Sequence, residues 1–306
     1  MFRVAYSDLM RWWRSSRDSA ITARKAAASD RKAVAELLAN AWWRHGAPAL
    51  EDQVALLQGG ASAIAFARDR CVGWLGFFVR EPAGDPLERW ADVAAVAISG
   101  GHSPAKALRT LVDAALGELS SRRVTGLVCL TSEEWLREAL SEIGFLELDQ
   151  VIGYARAGRL PLPAATAGPA RLRPAHSSEG EVVLALNSAA FAPIWRYDPS
   201  TVLSWLLTAE HAVLAEIGAE PAGFALTTGS LDTEFAQLVR IAIAPQLQGR
   251  GIGRQMVVEA IYHAREIGAG GLSLNTQASN LISRCLYEEL GFRLTGQTVS
   301  VLVRGT

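Results

Sequence analysis

In the second half of the chain the apolar residues mark out one element after another. Leu238, Val239, Ile241 and Ile243 crowd residues 235–244, a density that predicts a buried strand. Before it, apolar runs at 211–217 and 222–228 flank Gly218 and Pro221 and read as a hairpin. Residues 170–174 predict a short first strand. Ser177, Ser178 and Glu179 suit the cap of a helix running to about residue 192, and a second helix is expected over 201–210. After the strong strand a glycine-containing loop opens a helix over 252–267. A buried strand at 272–275 follows, then a helix at 281–290 ended by Gly291, and a closing strand at 292–303. The order is βααβββαβαβ. The fold class is α/β, with a mixed sheet that is largely antiparallel apart from one parallel crossover.

The first half repeats that order. Leu140-Ser141-Glu142-Ile143-Gly144-Phe145 resembles Tyr287-Glu288-Glu289-Leu290-Gly291-Phe292. Arg24 with Asp30 likewise matches Arg173 with Glu179, at nearly the same offset. Two matches at nearly equal offsets indicate a duplicated unit with a small length change. Between the copies, residues 159–170 are rich in proline and small residues and read as a stiff, exposed linker. The expected organisation is an extension over 1–20, a first unit over 21–158, the linker, and a second unit over 171–306. Trp12 and Trp13 among arginines suggest a short amphipathic helix or a frayed tail in the extension.

Composition narrows the function classes. The chain has 306 residues, half of them hydrophobic, and a formal net charge of −1. A dedicated nucleic-acid binder would carry a basic excess, so no nucleic-acid partner is expected. No apolar run approaches the ~20 residues that cross a bilayer, and residues 1–20 lack the apolar block of a secretory signal. The three cysteines, Cys71, Cys129 and Cys285, show no paired spacing, which predicts reduced thiols in a cytoplasmic protein.

The chemistry concentrates in Gln248-Gly249-Arg250-Gly251-Ile252-Gly253. Alternate glycines between a strand and a helix let backbone N–H groups converge, and the helix adds the positive end of its dipole. A diphosphate suits such a cradle, with Arg250 and Arg254 adding charge. Arg254 stands where the dinucleotide pattern GxGxxG requires glycine, and GxxxxGK[ST] is absent.

These residues resemble the acetyl-CoA loop of the GCN5-related N-acetyltransferases (GNAT), whose signature Gln/Arg-x-x-Gly-x-Gly/Ala reads here as Gln248, Gly251 and Gly253. Asn280, Leu286, Tyr287, Gly291 and Phe292 resemble the family's second motif. The resemblance covers the second unit and implies two tandem GNAT-like acyl-CoA acyltransferase domains, the second one catalytic, with acetyl-CoA as cofactor. It implies that the backbone of Ile241, Ala242 and Ile243 holds the pantetheine arm, that Asn280 bonds the cofactor, and that Tyr287 protonates the departing thiolate. Several family members place a glutamate base where this chain has Gln237. Glu234 and Asp232 lie just upstream as substitutes, and Gln237 is left to hold water or the acceptor. Cys285, two residues from Tyr287 on the same helix, faces elsewhere and is not expected to carry an acyl group. Trp195 and Tyr197, in the connection between the first two helices, either grip an amine or seal an interface.

Carried back to the first unit, Gly251 becomes Pro104, Gly253 becomes Lys106, Asn280 becomes Glu133 and Tyr287 becomes Leu140. Proline removes an N–H that a phosphate cradle needs, so this unit is expected to keep the fold without the chemistry. His102 in the neighbouring loop reads as incidental. The leading expectation is acetyl transfer to a small primary amine by a monomer or homodimer. An acyl-CoA-binding sensor without turnover, and a protein N-terminal or lysine acetyltransferase, are the alternatives.

Overall fold

In the computed structural model, residues 20–46, 50–59, 61–81, 88–164, 168–229 and 234–306 are described. The expected extension helix at Trp12 and Trp13 and the carboxylate of Asp232 lie outside the described residues. The chain divides into two units. The first comprises Met1–Arg80, Pro86–Leu148 and Ser300–Thr306, and the second Glu81–Asp85 and Asp149–Val299.

Long, nearly continuous apolar stretches such as Ala61–Ala67 and Trp90–Ile98 have both faces to bury, and in the first unit they do so in a mixed sheet. Its elements are β1 (Ile21–Lys25), α1 (Arg31–Asn40), β2 (Trp43–His45), α2 (Leu50–Gln58), β3 (Ala61–Ala67), β4 (Arg70–Val79), β5 (Trp90–Ile98), α3 (Pro104–Ser121), β6 (Gly126–Thr131), α4 (Glu134–Glu142) and the start of β7 (Leu146–Ala157). The strands β1, β3, β4, β5 and β6 lie side by side. The chain's last residues, in β13 (Arg293–Gly305), pair antiparallel with β6 from Ser300↔Thr131 to Gly305↔Gly126. Leu108, Leu111, Val112 and Leu119 of α3 bury a stripe at helical spacing against one face.

The second unit repeats the plan with β8 (Arg171–Pro174), α5 (Gly180–Ala190), α6 (Pro199–Thr208), β9 (His211–Ile217), β10 (Glu220–Thr228), β11 (Ala236–Ile243), α7 (Ile252–Glu266), β12 (Gly271–Gln277), α8 (Leu281–Glu289) and the first part of β13. Each element expected from the pattern is present, and its ends fall within about two residues of the expected ones. Helix α7 buries Ile252, Met256, Val257, Ala260, Ile261 and Ala264 on one face of the sheet. On the other face, α5 and α6 pack Val183, Leu186, Val202 and Leu206 against Phe224 and Ala242.

The division falls inside β7, between Leu148 and Asp149, ahead of the proline-rich stretch expected to carry it, and β13 is likewise divided between Val299 and Ser300. The second unit takes Asp149 onward, so that Val151 to Ala157 of β7 run antiparallel to Gln277 to Gly271 of β12. Among the described residues of 159–170 there is no helix or strand.

The duplicated arginine–acid pair is built the same way in each unit. Arg24 grips Asp30 with both Nη atoms, at 2.7 and 2.6 Å, and Ala27 N–H donates to the same carboxylate. Arg173 grips Glu179 at 2.9 and 2.7 Å, His176 N–H donates to it, and Arg173 Nε reaches Glu216 at 2.7 Å. These bonds favour the ionised carboxylate, and Arg173 holds the Glu179 carboxyl down to about 2. A depressed native value stabilises the fold above the unfolded value of ~4.3, and the stabilisation is lost as pH falls towards 2. Glu179→Gln is therefore expected to lower stability at pH 7 and to flatten the loss of stability between about pH 5 and 2. Urea melts at pH 7, 5 and 3 check this; identical pH dependence in the variant would refute the assignment.

Candidate active site

The site begins where two parallel strands part. β11 and β12 share only the rungs Ala236↔Leu272, Gln237↔Ser273 and Leu238↔Leu274. Beyond these, β11 continues with β10 and β12 with β7, leaving a gap between them. Beside the gap β11 carries a bulge: Leu226 faces Arg240 and Thr227 faces Leu238, so Val239 is the extra residue. Past the bulge Ala244 N–H bonds the Ala222 carbonyl opposite it at 2.9 Å. Antiparallel ladders alternate, so Ala242, two residues earlier, also pairs with β10. The N–H and C=O groups of Ile241 and Ile243 then face the gap, and the Ile243 carbonyl accepts from Gln248 Nε2 at 3.2 Å. Of the three backbone positions expected from the sequence, Ala242 is thus turned away.

The loop after β11 exposes a row of donors. Among the described residues no backbone acceptor meets the N–H groups from Gly249 to Arg254; the next one, Gln255, bonds the Gly251 carbonyl at 3.0 Å. Gly249 at φ +73° and Gly251 at φ +88° make this arrangement possible, because a Cβ penalises that region. Gly251 is the N-cap of α7, so the helix dipole points into the same row. Arg250 is exposed, and Arg254 makes a solvent-exposed pair with Glu289 at 3.3 Å. Alongside runs an open groove of about 400 Å³ lined by Arg254, Leu281, Ile282, Cys285, Leu286 and Glu289. Six donors, a helix N-terminus, two arginines and an apolar wall fit a diphosphate joined to a largely apolar arm. Among the described residues no group of three or more His, Cys, Asp or Glu is placed to hold a metal ion, and no helix is long and apolar enough to cross a membrane.

Tyr287, on α8, shares an apolar cluster with Ile241, Ile243 and Leu286 and is 5% exposed. Its ring lies 5.9 Å from Phe292 and 6.1 Å from Tyr154. Burial pushes the phenol up, opposed by a hydrogen bond with Ser283, so the side chain holds its proton. Asn280 caps α8, its Oδ1 accepting from Ser283 N–H at 3.2 Å. Gln237 is exposed, facing away from its neighbours Ala236 and Leu238 in the α7 core. Glu234 is exposed at the end of β11 remote from the loop, its carbonyl against Gly270. The structure therefore groups Ile241, Ile243, the 248–254 loop and Tyr287, and leaves Glu234 apart.

On the opposite face lies a residue that sequence reasoning missed. Arg240 stands in an apolar strand, 9% exposed, its guanidinium 3.5 Å from the Phe191 ring centroid and 4.8 Å from that of Tyr197. Its Nε donates to Asn187 Oδ1 and an Nη to the Trp195 carbonyl, both at 2.9 Å. Burial brings it down to about 10. The aromatic connection expected to grip an amine thus already holds a cation of the protein itself. Trp195 contributes its carbonyl, and Tyr197 packs edge-on against Trp205 at 4.7 Å. An arginine inside the run Leu238-Val239-Arg240-Ile241 was the available signal.

The first unit has the same parting and fills it. β5 and β6 share three rungs, from Trp90↔Gly126 to Asp92↔Val128. Beyond them β2 pairs with β5, Trp43↔Ile98 to His45↔Val96, along the edge that corresponds to the gap-facing stretch of β11. Trp42 N–H bonds the Ile98 carbonyl, and its ring lies so close to Gly100 that a Cβ there would stand 2.7 Å from it. Pro104 opens α3, and the Ser103 hydroxyl caps it by accepting from Lys106 N–H at 3.4 Å. Burial lowers His102. Leu140, in the place of Tyr287, is fully buried. Pro104 brings no N–H, Ser103 takes that of Lys106, and β2 takes the strand edge.

Residues 181–292 match the model of the Acetyltransferase (GNAT) family. The "Uncharacterized N-acetyltransferase YvbK" of Bacillus subtilis (strain 168) is 36% identical over 61 residues, 20% of this chain and 39% of the relative. The mycothiol acetyltransferase of Nocardia farcinica (strain IFM 10152) is 42% identical over 52 residues, 17% of either chain. The chain spans less than half the length of the curated relatives it matches. A solved tandem GNAT protein from the clavulanic acid biosynthesis pathway covers 94% of this chain and 98% of its own, with a TM-score of 0.56 at 16% identity. That likeness extends the tandem GNAT fold over both units.

Proposed function

We propose that the second unit, whose residues 181–292 match the GNAT acetyltransferase family model, transfers an acetyl group from acetyl-CoA to a small primary amine by direct attack while both are bound. The observation that carries this reading is the parted β11–β12 pair beside six unpaired amides. Bound acetyl-CoA supplies the acyl group as an activated thioester. The N–H groups of residues 249–254, with Arg250 and Arg254, hold its diphosphate, while the gap-facing groups of Ile241 and Ile243 pair with the amide arm. One of these N–H groups also polarises the acyl carbonyl as an oxyanion donor. Tyr287 keeps a proton on its Oη and gives it up as the thiolate departs. Gln237 cannot accept the amine's proton, so we assign that step to water at the exposed end of the site. Three free thiols fit a reducing, cytoplasmic setting.

Gln237 in the place of a carboxylate favours a second reading, a sensor that binds acetyl-CoA without turnover. Calorimetry with acetyl-CoA, followed by thiol release across an amine panel, separates the two. The expected result is one cofactor per chain, because β2 takes up the strand edge of the first unit's cleft, with thiol release that saturates in amine. Binding without thiol release would favour the sensor; no binding would overturn both.

A further inference from the structure

Two other arginines of the second unit have carboxylate partners, Arg173 with Glu179 and Glu216 and Arg254 with Glu289. Arg240 has no carboxylate partner among the described residues, and both its hydrogen bonds go to neutral oxygens. A guanidinium carries five N–H donors in a flat fork, so three remain uncommitted, two of them on one Nη. The second Nη bonds none of the described residues. The rings of Phe191 and Tyr197 hold the plane of the fork and leave its edge for a ligand. Arg240 directly precedes Ile241, whose backbone lines the gap, and its side chain lies on the α5–α6 face, away from the α7–α8 groove.

We propose that Arg240 receives a carboxylate of the acceptor, which makes the acceptor class an amino acid or another small amine bearing a carboxylate. The inference rests on the acetyl-transfer reading. A carboxylate matches the fork edge with two parallel N–H···O bonds, and the approach of an anion compensates a cation otherwise held among rings and amides. The same charge disfavours acceptors that present only ammonium groups.

Amino acids compared with their own carboxamides test this with thiol release as the readout. Wild type is expected to favour the acid over its amide by tenfold or more in kcat/KM. Arg240→Gln is expected to bring that ratio near one while coenzyme A affinity, measured by calorimetry, is unchanged. Arg240→Lys keeps the charge without the fork and is expected to retain part of the preference. Equal use of acid and amide by wild type, or a preference that survives in Arg240→Gln, would overturn the proposal. A turnover-free arm uses N-acetylglycine and N-acetylglycinamide titrated while the Arg240 Nε–H NMR signal is followed, assigned by its loss in Arg240→Lys. A saturable shift with the acid alone supports the anion site even where no amine is acetylated, in which case acetyl transfer fails and the site stands. No shift, or equal shifts, refutes the site.

Discussion

A leucine at Gly253 is expected to abolish coenzyme A binding while the second unit stays folded. Gly253 is the second residue of α7, and a Cβ there would stand 4.0 Å from both Ile243 Cγ1 and Leu286 Cδ2, an ordinary contact. Alanine therefore fits. A longer side chain must extend between the end of β11 and α8, into the space where the donors of residues 249–254 face outward. The backbone is helical, so leucine relieves a glycine cost of roughly 1 kcal/mol and does not strain the chain. Hydrogen bonds to charged groups contribute about 1.5–3 kcal/mol each, so losing two weakens binding on the order of 100-fold or more. Calorimetry with a parallel thermal melt checks this. Gly253→Ala binding near wild type and Gly253→Leu not binding, both with intact melting, is the expected pattern. Equal affinity in all three proteins would mean that the ligand does not pass this point.

The second large effect is expected at Tyr287. Its phenol is buried beside Ile241 and Ile243, and burial keeps it protonated well above neutral pH. Tyr287→Phe removes one oxygen and the bond with Ser283, a stability change of about 1 kcal/mol. Loss of a positioned general acid lowers kcat on the order of 10²–10³-fold, with coenzyme A affinity nearly unchanged because the diphosphate cradle is untouched. Wild-type kcat should also show no alkaline decline attributable to this phenol below about pH 10. Thiol release by the variant at the wild-type rate would remove Tyr287 from the mechanism.

Much of this was legible in the chain because local chemistry and global fold agree. Gly249 and Gly251 stand where positive φ is needed, and Gly291 (φ +88°) ends the last helix where the sequence placed that end. The pairing of Arg24 with Asp30 and Arg173 with Glu179 gave the repeat a physical basis. Other features leave no local mark. β2 is Trp-Arg-His, too short to show a period, yet its pairing with β5 occupies the first unit's cleft. The division at Val299 and Ser300 falls within one unbroken strand, so no break in secondary structure marks it. The bulge at Val239 decides which of Ile241, Ala242 and Ile243 face the gap, and nothing in Leu-Val-Arg-Ile announces it. Arg240 reads as an anomaly in an apolar strand until Phe191, Asn187 and Tyr197 are brought around it from other elements.

The most direct test is a crystal structure of the full chain grown with coenzyme A. The expected result is one molecule per chain, its diphosphate within hydrogen-bonding distance of the amides of residues 249–254 and its arm running between β11 and β12. A diphosphate bound elsewhere, or a molecule displacing β2 from β5 in the first unit, would contradict the assignment of the site to the second unit's parted strands.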